Sequence, residues 1–143
     1  RHQHIARAQA AGLKSLAGGK PVDLPGYYVR PTVIADVPHD AAIVRDEVFG
    51  PVLAIVPFDD PLEALRLAND SQYGLAASLW SNDLKTVMNL VPQMEAGTVW
   101  VNCHVPLDPG MPFGGFKQSG IGREFGKYAI EGFTETKSVC IAH

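Results

Sequence analysis

The glycine-rich stretch Pro112–Gly126 has a composition that could serve a phosphate-binding loop. It reads PFGGFKQSGIGREFG, with five glycines in fifteen residues. A dinucleotide fingerprint requires GxGxxG after a strand and at the start of a helix, so that the helix N-terminus meets the pyrophosphate. Here Phe125 occupies the third glycine position, and the nearest Walker-like match, Gly115–Gly120, is followed by Ile121 instead of lysine. Both templates fail, and we predict that these glycines allow tight turns and close backbone packing.

The adjacent residues Cys103 and His104, in VNCH, could in principle supply a nucleophile and its base. However, neighbouring residues on an extended segment point to opposite sides, which makes them a poor catalytic dyad. We therefore interpret Cys103 as a buried residue without a catalytic role. We also predict no metal site in the chain.

Glu47, in DEVFGP, is the carboxylate best suited to bind a ligand. Its two oxygens can accept hydrogen bonds from two adjacent hydroxyls. From the residues alone, an Asp-Glu pair before a turn is also typical of a solvated loop. Both interpretations remain open at this level.

These residues must be positioned by helices and strands, and the first half of the chain predicts one helix and two strands. Apolar residues three to four apart predict a helix over residues 3–16, ended by a Gly-Gly pair. Tyr27–Ala35 and Val52–Phe58 are rich in aromatic and β-branched residues and predict strands. Pro31 restricts the first of them to an edge or to a broken strand.

Two capped helices are predicted in the second half. Asp60, followed by Pro61 and Glu63, is a helix start signal, and the helix should run to about Asn69. A second helix should begin at a cap provided by Ser81 or Asn82. It should kink or end near Val91, because the next residue is a proline.

The remaining elements complete an α/β pattern. Strands are predicted at Leu75–Trp80 and Thr98–Asn102, and a short helix at about Gly122–Glu131. The last segment, Thr134–Ala142, has little apolar surface on one side and predicts an edge strand that can pair with another chain. Strands that alternate with helices predict an α/β fold with a parallel-type sheet flanked by helices.

Size, charge and composition exclude several classes of protein. The 143 residues are 46% hydrophobic, which indicates a globular domain or part of one. A net charge of −3 offers no basic field for nucleic acid, and no apolar run is long enough to cross a membrane. Two cysteines and the lack of a signal peptide predict a cytoplasmic protein. A start at Arg1, without an initiator Met, leads us to expect the tail of a longer chain.

Four motifs in register resemble the C-terminal portion of the aldehyde dehydrogenase superfamily. They are EVFGP at Glu47–Pro51, YGLAASLW at Tyr73–Trp80, AGTVWVN at Ala96–Asn102 and PFGGFKQSGIGRE from Pro112. The resemblance covers essentially the whole chain. It implies that residues 1–131 are the C-terminal part of the catalytic domain and that residues 132–143 are an oligomerisation strand, which would form a homodimer or homotetramer.

The resemblance implies a function for the full-length protein: oxidation of an aldehyde to a carboxylic acid with NAD or NADP. The cofactor's pyrophosphate would be held by an upstream Rossmann domain. The nucleophilic Cys, the base Glu and the oxyanion-binding Asn would also lie upstream, so no catalytic residue is expected in this chain. The matching glutamate, Glu47, would grip the nicotinamide ribose, and Phe49 would lie against the nicotinamide end.

The resemblance also implies roles for residues near the end of the chain. The loop His104–Met111, which could otherwise be a plain surface connection, would line the aldehyde entrance. Leu107, Met111 and Phe113 would lie near the aldehyde, and such a lining favours an uncharged, apolar substrate over a cationic one. Arg123 and Glu135, which could be ordinary surface charges, match an arginine and a glutamate that pair at the subunit interface.

One function of another class stays open. The chain could be a stand-alone α/β interaction module without catalysis, descended from the tail of such an enzyme. The length of the full protein discriminates between the two, because an enzyme with a complete cofactor domain would be several times longer than this chain.

Overall fold

The computed structural model describes residues 2–142 and divides the chain into two compact units, the first ending at Asp59 and the second beginning at Asp60. Both units are mixed α/β, as the alternating sequence pattern predicts. Two strand pairs are parallel and two are antiparallel, so the parallel sheet of the prediction is only partly correct.

The first unit packs two helices against a three-stranded sheet. Its elements are α1 (His2–Ala10), β1 (Ser15–Ala17), β2 (Thr32–Ile34), α2 (Ala42–Arg45) and β3 (Val52–Ala54). The strand order is β1-β2-β3, with β1 antiparallel and β3 parallel to the central strand. Ala8 on α1, Ile34 on β2 and Ile43 on α2 meet in the buried core together with Val37.

Helix α1 is shorter than predicted because the chain turns sharply after it. Gly12 has a φ of 87°, and the Leu13 amide donates to the carbonyl of Ala8. A positive φ ends the helix at little cost when the residue is glycine. The predicted helix over residues 3–16 is therefore wrong at its C-terminal end, where residues 15–17 form β1 instead.

Both predicted strands of this unit are also shortened. Tyr27 and Tyr28 are exposed and lie outside regular structure. The strand predicted at Tyr27–Ala35 is β2, which begins only after Pro31. The second strand ends at Ala54 instead of Phe58. A proline cannot donate to a strand ladder, which explains why pairing of β2 starts at Thr32.

The second unit consists of short strands and helices. Its elements are α3 (Pro61–Asn69), β4 (Tyr73–Gly74), β5 (Ala76–Leu79), α4 (Leu84–Leu90), β6 (Thr98–Val101), β7 (Phe116–Lys117) and α5 (Tyr128–Glu131). Strands β5 and β6 pair in parallel, and β4 pairs antiparallel with β7. Val87 and Leu90 of α4 and Trp100 of β6 are buried.

The boundaries of α3 and α4 follow local signals, with one correction. Asp60 accepts from the amides of Leu62 and Glu63, which confirms the predicted cap of α3. Helix α4 ends at Leu90 and continues as a single 3-10 turn through Pro92, as the proline predicts. Its cap, however, is Asp83 and not Ser81 or Asn82.

Two predictions for the end of the chain are not matched by regular structure. The helix expected over Gly122–Glu131 is confined to Tyr128–Glu131, because Gly122, Phe125 and Gly126 have positive φ angles. Residues 134–142 contain no strand within this chain, and their side chains are exposed. Pairing of this segment with a second chain remains a prediction.

Candidate functional site

A cavity of about 170 Å³ in the second unit brings together the three residues predicted to contact the aldehyde. Leu107 is 50% exposed, Met111 is 63% exposed and Phe113 is half-buried, and all three line the cavity. The other lining residues are Gly97, Thr98, Val99, Trp100, Pro106, Asp108, Pro112 and Phe125. A largely apolar lining of this kind suits an apolar small molecule.

Strand β6 and the loop that follows it form this cavity. The indole Nε1 of Trp100 donates to the carbonyl of Pro106 at 3.2 Å, which ties the loop back to the strand. Phe113 is held at the other end, because its amide and carbonyl both bond to the backbone of Glu124, at 2.8 and 2.7 Å. The loop is therefore anchored at both ends.

A tight turn at the middle of the loop orients the side chain of Asp108, an exposed residue that lines the cavity. The carbonyl of Asp108 accepts from the Met111 amide at 2.9 Å, and its side-chain Oδ1 accepts from the Gly110 amide at 2.8 Å. Asp, Pro and Gly are typical residues at successive positions of such a turn. Asp108 is not among the site residues predicted from the sequence, although its Asp-Pro-Gly turn signal is present there.

The glycine-rich stretch is explained by close backbone packing, as predicted. A Cβ on Gly97 would overlap the carbonyl oxygen of Gly114, so the strand and the glycine-rich segment can approach only without side chains. Gly122 has a φ of 80°, which glycine adopts readily. These positions serve packing and turns, and they need no phosphate ligand to account for them.

Arg123 is used inside its own chain. Its guanidinium donates to the carbonyls of Gly115 and Gly122 and lies 5.5 Å from the centre of the Phe116 ring. Glu135 is exposed in the C-terminal segment, and within residues 2–142 no ion pair joins it to Arg123. Their predicted pairing therefore requires two chains and stays a prediction.

His104 is engaged away from Cys103. Its Nδ1 lies 2.7 Å from the hydroxyl of Ser78, and its ring makes an edge contact with Trp100 at 5.6 Å between centroids. Cys103 is half-buried and is a free thiol. That these two residues form no catalytic pair stays a prediction, and Cys103 is less buried than expected.

Glu47 and Phe49 lie in the first unit, after helix α2. The residue between them, Val48, packs against the buried core. Because side chains alternate along an extended segment, Glu47 and Phe49 both face outward. Phe49 is 78% exposed, and across residues 2–142 no other side chain bonds to the exposed carboxylate of Glu47. An unpaired carboxylate two residues from an exposed aromatic ring fits a ribose and the aromatic base attached to it.

Residues 2–142 contain no group of three His, Cys, Asp or Glu side chains able to hold a metal ion. None of the helices described there has the length and apolar character needed to span a bilayer.

Comparison with known proteins gives consistent matches. The model of the aldehyde dehydrogenase family matches residues 1–139. The chain is 46% identical over 143 residues to a phenylacetaldehyde dehydrogenase of Pseudomonas fluorescens and covers 28% of that protein. It is 45% identical over 141 residues to a succinate-semialdehyde dehydrogenase of Paenarthrobacter nicotinovorans and covers 31% of it.

Solved structures match equally well. An NAD⁺ complex of an aldehyde dehydrogenase from Bacillus cereus has a TM-score of 0.92 and 45% identity, over 96% of this chain and 28% of that one. The chain thus spans between a quarter and a third of the length of these relatives.

Proposed function

Because the chain belongs to the aldehyde dehydrogenase family, we propose that it is part of an enzyme that oxidises an aldehyde to a carboxylic acid with NAD or NADP. The observation that carries this proposal is the family match over residues 1–139. A solved relative with bound NAD⁺ supports the choice of cofactor.

In this proposal the first unit contributes to cofactor binding. Glu47 accepts hydrogen bonds from the hydroxyls of the nicotinamide ribose, and Phe49 packs against the nicotinamide end. The exposed, unpaired carboxylate of Glu47 and the exposed ring of Phe49 support these roles. When bound, the cofactor supplies the hydride acceptor.

The reaction itself would use residues upstream of this chain. A cysteine thiolate adds to the aldehyde carbon, hydride leaves that carbon, and water hydrolyses the resulting thioester with a glutamate as base. The products are the carboxylate and the reduced cofactor. This chain would contribute no nucleophile, since the ring of His104, the residue next to Cys103, is engaged by the Ser78 hydroxyl.

The second unit contributes part of the aldehyde pocket. Leu107, Met111 and Phe113 line its cavity and favour an apolar aldehyde, aliphatic or arylalkyl. The relatives differ in the substrates that their names give. One is a phenylacetaldehyde dehydrogenase at 46% identity, and another is a succinate-semialdehyde dehydrogenase at 45% identity. Overall identity therefore does not select between these substrate classes.

We further propose that the enzyme is a cytoplasmic homo-oligomer, a dimer or a tetramer. Residues 1–131 belong to its catalytic domain, and residues 132–143 form a strand that pairs between subunits. Arg123 of one subunit and Glu135 of another would pair at this interface. The exposure of residues 134–142 in the single chain supports this role.

The test is a dehydrogenase assay on the full-length protein with a panel of aldehydes and both cofactors, followed by the absorbance of the reduced cofactor. We expect turnover with at least one apolar aldehyde and none with the matching alcohols. The 143-residue chain alone is the control and should be inactive. Turnover by this chain alone, abolished by Cys103→Ala, would contradict the proposal, as would a full-length protein inactive with every aldehyde.

A further inference from the structure

We propose that Asp108 makes the aldehyde pocket selective against substrates that carry a negative charge. The inference rests on the proposed function and narrows its substrate class to aldehydes without a carboxylate, such as arylalkyl or aliphatic aldehydes. Asp108 would be a specificity-determining residue and not a catalytic one.

Asp108 is placed where its charge acts on a bound aldehyde. It lines the same cavity as Leu107, Met111 and Phe113. Of the residues that line this cavity in the described chain, Asp108 alone is charged. No lysine, arginine or histidine among them is available to pair with a substrate carboxylate.

The carboxylate of Asp108 is held in a defined position. Its Oδ1 accepts from the Gly110 amide at 2.8 Å, and the turn it starts is closed by the Met111 amide at 2.9 Å. The next carbonyl, that of Pro109, accepts from the Gly126 amide at 2.9 Å, which fastens the turn to the glycine-rich segment. Because both the backbone and the side chain are bonded, rotation of the Asp108 side chain would cost its bond to the Gly110 amide.

An apolar wall strengthens the effect of this charge. Charges interact more strongly beside low-dielectric surface than in bulk water. A substrate carboxylate that entered this cavity would lose water and would meet a like charge without a cationic partner. An uncharged aldehyde would bind the apolar lining without this repulsion.

The test compares succinic semialdehyde with its methyl ester, because the two differ mainly in charge. In the full-length enzyme, the wild type should have a lower kcat/KM for the acid than for the ester. Asp108→Asn should raise kcat/KM for the acid on the order of tenfold, equivalent to about 1.4 kcal/mol. The substitution should leave kcat/KM for the ester nearly unchanged, because asparagine keeps the acceptor oxygen that bonds the Gly110 amide.

Two controls separate this effect from a change of net charge or of folding. Asp23→Asn removes an exposed aspartate that does not line the cavity, and it should leave the acid-to-ester ratio unchanged. In the wild type, added salt should raise the ratio by screening the repulsion. This second measurement needs no variant and decides the matter if Asp108→Asn does not fold.

The failure of this inference is distinguishable from failure of the proposed function. Turnover of the ester with a ratio that neither Asp108→Asn nor salt changes overturns the role of Asp108 alone. A faster reaction with the acid than with the ester in the wild type also overturns it. Absence of turnover with every aldehyde overturns both.

Discussion

At the scale of single residues, side-chain direction decides which groups can meet a ligand. In DEVFGP, Val48 packs inward, so Glu47 and Phe49 on either side of it face outward. The outward direction of Glu47 is therefore a property of the packing around Val48.

We predict that Glu47→Gln in the full-length enzyme lowers kcat with little change in cofactor Kd. Most cofactor contacts would lie upstream, whereas Glu47 would position the nicotinamide. Misplacement of a reacting group by about 1 Å can cost on the order of 100-fold in rate. A kinetic isotope effect with C1-deuterated aldehyde should appear or grow, because hydride transfer becomes slower than the other steps.

The neighbouring Asp46→Asn is the matched control for Glu47. Asp46 follows the last residue of helix α2, and its carboxylate lies 3.8 Å from the Nδ1 of His4. The Asp46→Asn substitution removes the same charge as Glu47→Gln. It should leave kcat and the isotope effect unchanged. If Glu47→Gln also keeps wild-type values of both, Glu47 is an ordinary loop carboxylate.

At the scale of elements, the second unit depends on backbone segments that approach without side chains between them. Gly97 precedes β6, and its amide donates to the carbonyl of Gly74 at 3.0 Å. The space where its Cβ would stand is occupied by the carbonyl of Gly114. Gly97 is not one of the glycines with a positive φ, so the constraint is space and not backbone angle.

Gly97→Ala should therefore destabilise the enzyme by about 1–3 kcal/mol or more, as expected for overpacking. Thermal unfolding at a fixed scan rate should show a lower Tm. Gly132→Ala is the matched control, since the nearest atom to its Cβ would be the Ala129 carbonyl oxygen at 3.5 Å, an ordinary contact. Equal Tm values for the two variants would contradict the packing role of Gly97.

Helix α4 should begin to fray at its N-terminus in acid. A side-chain hydrogen bond from Thr86, with the amides of Lys85 and Thr86, holds the pKa of Asp83 below its usual value of 3.8. Since the folded pKa is depressed, the stabilisation is complete above the unfolded pKa and is lost as pH falls through the folded one. The cap should persist to lower pH than the protonation of a free aspartate would allow.

Hydrogen exchange by mass spectrometry over residues 83–90 measures this effect. Protection relative to the Asp83→Asn variant should decline below about pH 4. Asparagine also caps helices but does not titrate, so its own protection should vary less with pH. A wild-type protection that tracks the variant at every pH would refute the role of the charge.

At the scale of the whole molecule, this chain exposes many large apolar side chains. Large apolar side chains are exposed in both units, among them Leu16, Tyr27, Leu84 and Phe133. The relatives are three to four times longer, and their additional chain is available to cover such surface. In the proposed full-length enzyme, we expect additional chain or a second subunit to cover this surface.

Deletion of residues 134–143 should dissociate the oligomer of the full-length enzyme or make the protein insoluble. Val139 and Ile141 are exposed in the single chain, and an unpaired strand edge there would be covered by a second subunit. Light scattering after size-exclusion chromatography measures the mass. A Gly/Ser segment of the same length is the control for chain length and should behave like the deletion. An unchanged mass with a wild-type Tm would rule out this segment as the interface.

The sequence alone determined the features that depend on neighbouring residues. The cap of α3 at Asp60 and the end of α4 before Pro92 are confirmed, because capping and the missing proline amide act within one turn of helix. The family resemblance is confirmed as well, since four separated motifs in register identify a shared fold. The packing role of the glycine-rich stretch was also predictable, because the stretch fits neither the dinucleotide fingerprint nor the Walker loop.

The tertiary structure decided what depends on residues distant in sequence. It made residues 15–17 a strand instead of the end of a helix, because Ser15 and Ala17 pair with Ile34 and Val33 of β2. It also placed Asp108 beside Leu107, Met111 and Phe113. A turn signal such as Asp-Pro-Gly predicts a change of chain direction. Which residues line a cavity together with that turn depends on how distant segments pack, and the spacing of residues along the chain does not specify that packing.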